Sequence, residues 1–161
     1  MQKFKVYFWK WLPSKIFKDI KTKYRNRLND YMNVYICEDF KEMYDIVDKV
    51  EKQKQERDYA GRTFCIDKNC YEVETGKFVK TYPCCGYMYF NKNHFYMDTI
   101  SHESTHAVIG YFNRKLKDMQ NIFTLIENEK IINEDETDLN EELFCYMVGN
   151  IGDQIVSKQE E

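Results

Sequence analysis

The sequence predicts an α+β fold, a small mixed sheet covered by helices, and three observations carry that prediction. Short β-prone runs alternate with stretches of helical periodicity, and there is no internal repeat. Only two Pro and six Gly interrupt the 161 residues, which leaves little room for long linkers. The 43% hydrophobic and 16% aromatic content outweighs 32% charged residues and argues against disorder.

Taken in order, Ser14 can cap a helix in which Ile16, Ile20, Tyr24, Leu28 and Tyr31 recur at helical spacing, with Lys and Arg opposite. With the preceding Val6-Tyr7-Phe8-Trp9 run, this reads as a basic, aromatic helical arm over residues 1–32, leaving 33–161 as the main domain. Val34-Tyr35-Ile36-Cys37 is a short β-prone run of the buried kind. Phe40, Met43, Tyr44, Val47 and Val50 then share one helical face, trailing into a polar run at 51–58. Gly61 opens a strand through Thr63, Phe64 and Ile66, and 67–77 reads as a turn-rich excursion. Phe78 to Tyr82 is a further strand stopped by Pro83, and Gly86 to Phe90 is another, closed by Asn91-Lys92-Asn93. A helix starts at Asp98 or Thr99 and reaches about Phe112. Asp138 can cap a last helix through Leu143, Met147 and Ile151 toward Ile155.

The net charge of -3 conceals an asymmetry. Residues 1–30 hold nine Lys and Arg against Asp19 and Asp30, whereas 127–142 is acidic apart from Lys130. Solvated faces are the ordinary explanation. The basic, aromatic amino terminus also suits contact with nucleic-acid phosphates, a membrane surface or a partner protein. Lys10 ends the first apolar run well short of a secretory core, and no stretch approaches the roughly 20 apolar residues of a membrane span. The expectation is a cytoplasmic protein with reduced cysteines. Cys65, Cys70, Cys84 and Cys85, spaced C-x4-C and C-C, do not match the paired C-x2-C knuckles of a structural zinc site.

Chemistry concentrates at Ser101-His102-Glu103-Ser104-Thr105-His106, an H-E-x-x-H pattern in a chain with three His. Two His four residues apart leave one helical face together, so both imidazoles can reach one ion. At about 100° per residue, His102, His106, Ile109 and Asn113 share a face, and Ile100, Ala107, Val108 and Tyr111 share the opposite one. Glu103 sits beside the metal face, placed to take a proton from activated water. A catalytic zinc takes three protein ligands and keeps one position open. His94, in a turn just before the helix, is tethered too closely to be the third, so a carboxylate is expected.

Here the chain resembles the gluzincin group of zinc peptidases, in which a Glu on a later helix completes the site. A small residue often follows that Glu by three positions and a Gly by seven. Glu142, Cys145 and Gly149 fit, and the resemblance covers about residues 84–156. It implies a minimal zincin-like domain over 33–161, with Zn2+ on His102, His106 and Glu142 and with Glu103 as catalytic base. Neighbouring Glu141 is the rival ligand, because one residue turns a helix by about 100°. Tyr146 stands where several gluzincins have an Asp that steadies a ligand His. Tyr146 or Tyr111 is the candidate donor to an oxyanion. Gly110 would let the later helix approach closely, and Gly86 to Phe90 resembles the edge strand on which such enzymes lay extended substrates. The implied activity is zinc-dependent hydrolysis of a peptide or protein. The alternatives are a zinc-binding but catalytically inactive protein of virion or host-interaction type, and a metal-free binding module. Small phage-encoded metallopeptidase-like proteins are similar in size and element order, which would place the chain in a host cytoplasm or virion.

Overall fold

A computed structural model of the chain describes residues 1–13, 18, 29–52, 59–66, 69–71, 78–81, 83–113, 122–124, 126, 128 and 139–159. The elements are β1 (Gln2–Tyr7), β2 (Tyr31–Cys37), α1 (Phe40–Glu51), β3 (Gly61–Cys65), β4 (Asn69–Tyr71), β5 (Phe78–Thr81), β6 (Cys84–Asn91), a 3-10 turn (Lys92–His94), α2 (Met97–Asn113) and α3 (Leu139–Gln159). Four strands form one mixed sheet in the order β1-β2-β6-β3, and β4 and β5 pair separately. The α+β expectation holds at that level. No helix among the described residues is long and apolar enough to cross a membrane.

The sheet is covered on both faces, which explains its unbroken apolar runs. Met32, Val34 and Ile36 of β2 and Met88 and Phe90 of β6 join the main core with Ile100, Ala107, Val108 and Tyr111 of α2 and Leu143, Met147, Ile151 and Ile155 of α3. Tyr35, Cys37 and Tyr89 point the other way, onto Met43 and Val47 of α1. Asp39 caps α1 by accepting from the Glu42 amide at 2.9 Å, and the Glu42 carboxylate accepts from the Glu38 amide at 2.8 Å.

The amino terminus corrects the reading of residues 1–32 as a helical arm. Gln2–Tyr7 is a strand paired antiparallel to β2, and Phe8, Trp9 and Leu12 are core residues. Alternation explains it: Phe4 and Val6 turn toward the core, while Lys3 and Lys5 lie over the rings of Tyr35 and Tyr31 at 5.3 and 4.3 Å. A boundary after residue 32 would cut β2, and Tyr31 opens that strand instead of closing a helix. Ser14, Ile16, Ile20, Tyr24 and Leu28 lie outside the described residues, as does Asp138. Within the excursion expected at 67–77, Asn69–Tyr71 forms β4 and pairs with β5.

Two contacts fix α2. On its inner face the Trp9 indole donates to the Tyr111 hydroxyl (2.9 Å), which donates to buried Asp30 (2.6 Å), and Phe8 stacks on the Tyr111 ring at 4.0 Å. On its flank, α2 meets β3. A β-carbon at Gly110 would fall 2.3 Å from the Cys65 sulfur, so the glycine admits strand β3 and not, as expected, the later helix.

Burial, reinforced by the Asp30 charge, holds the Tyr111 phenol well above its ordinary range. The folded state thus grips this proton more tightly than the unfolded chain, a contribution complete below about pH 10 and lost as pH rises beyond it. Tyr111→Phe should cost about 1–3 kcal/mol in urea unfolding at neutral pH and give a shallower loss of stability above about pH 10. Gly110→Ala should destabilise by about 1–3 kcal/mol through overpacking, and Cys65→Ala in the same chain should recover part of that loss.

Candidate metal centre

Helix α2 divides as its periodicity predicts. Ile100, Ala107, Val108 and Tyr111 are buried, while His102, His106, Ile109 and Asn113 face solvent. The two imidazoles meet edge to face, with their Nε2 atoms 3.1 Å apart. Two nitrogens at that separation, each about 2.0–2.1 Å from a common ion, subtend about 100° there, close to the tetrahedral angle of zinc. The spacing of the two nitrogens is therefore compatible with one divalent ion between them.

Glu103 is turned into the protein and is only 5% exposed. Strand β3 holds it there. Alternate residues Gly61, Thr63 and Cys65 face α2, whereas Arg62 points away and makes a two-pronged ion pair with Glu51 of α1 at 2.7 and 3.0 Å. The Thr63 hydroxyl lies 2.7 Å from Glu103 Oε2 and 3.1 Å from the Glu103 carbonyl oxygen, and donates its one proton to the nearer, the carboxylate. A side chain at Gly61 would press on Thr99 and on Glu103 Cγ at 2.9 and 3.0 Å. Beside the pair lies an open recess of about 380 Å³ lined by Tyr59, Gly61, Asp98, Thr99, His102 and Glu103.

Among the described residues, His102, Glu103 and His106 are the group able to hold a metal ion, their donor atoms lying within 4.8 Å of one another. Glu142 and Glu141 are not part of it, which corrects the expected ligand set. Helices α2 and α3 run antiparallel, with Ile100 against Gly152 and Phe112 against Phe144. The imidazoles stand level with the stretch between Phe144 and Gly152, and Glu142 lies beyond its end. Because Leu143, Met147, Ile151 and Ile155 face the core, Glu142 is turned outward. It lines a separate groove with Trp11, Cys145, Tyr146 and Gly149, where Tyr146 stacks on Trp11 at 5.5 Å. A β-carbon at Gly149 would meet nothing within 4 Å, so close packing does not require that glycine.

Other expectations resolve similarly. His94 packs its ring on Phe40 at 4.9 Å, away from the pair. Tyr111 is committed to Trp9 and Asp30, and Tyr146 belongs to the Trp11 groove, so neither faces the imidazoles. The tyrosine lining the recess is Tyr59, just ahead of β3 and far from H-E-x-x-H in sequence, with its ring against Tyr44 of α1 at 5.5 Å. Burial raises its hydroxyl pKa, leaving it a donor at neutral pH. The edge strand is also corrected: β6 is central, between β2 and β3, and the strand beside the site is β3. Cys37, Cys84 and Cys145 are free thiols, Cys37 being pushed up to about 12 by burial, and the Cys70 side chain lies outside the described residues.

Either His102→Ala or His106→Ala should abolish stoichiometric zinc binding measured by equilibrium dialysis, while Glu142→Ala should retain it. Comparison with protein-family models, curated proteins and solved structures finds no match.

Proposed function

We propose that the chain is a zinc-dependent metallopeptidase acting on a peptide or protein, with His102 and His106 as metal ligands and Glu103 as general base. The observation that carries this reading is the 3.1 Å approach of two solvent-facing imidazole nitrogens beside a carboxylate the protein has buried and hydrogen-bonded. A surface helix with incidental His and Glu would have no reason to draw the Glu inward against a strand. When bound, zinc supplies Lewis acidity, polarising a carbonyl and acidifying water.

The residues then have separate tasks. Glu103 takes a proton from the attacking water and returns it to the departing amine, so that water adds across the C–N bond with no net proton change. Strand β3, at the end of the sheet, offers a backbone along which an extended peptide can lie.

A second reading follows from the cluster's composition. With Glu103 the carboxylate within reach of the pair among the described residues, it could itself complete the metal shell. Proton transfer would then be lost and the protein would be a zinc-bound scaffold.

One variant separates the two. On the peptidase reading, Glu103→Gln keeps one zinc per chain and loses about 10²–10⁴-fold in peptide hydrolysis, assayed on a fluorogenic library with and without chelator. Loss of zinc from that variant would favour the scaffold, and undiminished hydrolysis would reject Glu103 as base.

A further inference from the structure

We infer that Thr63 is the positioning residue that aims the Glu103 carboxylate; this rests on the peptidase reading of the same cluster. Its hydroxyl is 2.7 Å from Oε2 and 3.1 Å from the backbone oxygen of the same residue. The single hydroxyl proton goes to the nearer acceptor, the carboxylate oxygen, with the helix carbonyl of the same residue close beside it. Two positions earlier on the same strand face, Gly61 brings the backbone against Glu103 Cγ, with no room for a β-carbon, which limits where the side chain can swing.

The division of the carboxylate's two oxygens gives the arrangement its chemistry. Oε2 accepts from Thr63, while Oε1 has no hydrogen bond among the described residues. A general base needs one oxygen free to receive a proton and the other held, so that the free one keeps a fixed distance and angle to its target. Thr63 provides the holding bond from a strand whose opposite side is tied to α1 through Arg62 and Glu51. The anchor is therefore part of the sheet and does not move as a loop would. Removing the hydroxyl while keeping the shape leaves a buried carboxylate oxygen without its donor, and the group turns to find another.

The experiment compares Thr63→Val, which keeps the branched shape, with Thr63→Ser, which keeps the hydroxyl. In zinc-loaded protein, Thr63→Val should lower kcat about 10–100-fold with little change in KM, and Thr63→Ser should stay within about threefold of wild type. Zinc stoichiometry should be unchanged in both, because the imidazoles do not touch Thr63. A second readout needs neither metal nor turnover. In metal-free protein labelled with 13C at Glu side-chain carboxyls, the Glu103 resonance, identified by its absence in Glu103→Gln, should move in Thr63→Val and hold in Thr63→Ser. An unmoved resonance in Thr63→Val, or wild-type kcat in that variant, would overturn the assignment. If the wild-type chain hydrolyses nothing, the peptidase reading fails instead, and the resonance alone decides whether Thr63 holds the carboxylate.

Discussion

The structure depends above all on how closely α2 lies against β3. Two glycines make that approach feasible, Gly61 beside Glu103 and Gly110 beside Cys65, and Thr63 stands between them. At this separation Glu103 is drawn out of water while its neighbours His102 and His106, on the adjoining face of the same helix, stay in it. A wider gap would return the carboxylate to solvent as one more surface charge. The opposite side of α2 is fixed as firmly, since the residues following β1 thread Phe8 and Trp9 under Tyr111. Held from two sides, the helix cannot roll, and its outer face keeps its orientation.

Much of this was legible in the sequence because it depends on local periodicity. The apolar positions 100, 107, 108 and 111 set the inner face of α2, and the H-E-x-x-H spacing put both imidazoles on the other face. The apolar runs at 34–37 and 86–90 named the central strands, and the periodicity from Phe40 to Val50 named α1. These signals lie within a dozen residues, where backbone geometry alone decides which side chains are neighbours.

What was not legible depends on pairing between distant segments. Lys3-Phe4-Lys5-Val6 alternates as a strand should, yet four residues also suit a helix turn or a coil, and only β2 as a neighbour decides among them. The third ligand failed for a related reason. Placing Glu142 opposite the His pair requires the axial register of α3 on α2, and that register is set by Phe112 on Phe144 and Ile100 on Gly152, contacts no spacing rule encodes. Thr63 was not legible because what brings it to Glu103 is the position of β3 at the end of the sheet.

That sheet has a second end, formed by β1 among the described strands. A terminal strand offers its backbone as a template to other chains, the usual beginning of aggregation. Lys3 and Lys5 alternate along β1, and their ammonium groups fold back over the tyrosines of β2. A second copy adding its own β1 there would set two further lysines beside Lys3 and Lys5, like charge against like. Part of the basic character of the amino terminus thus opposes strand addition at this edge, whatever else the remaining positive charges contact.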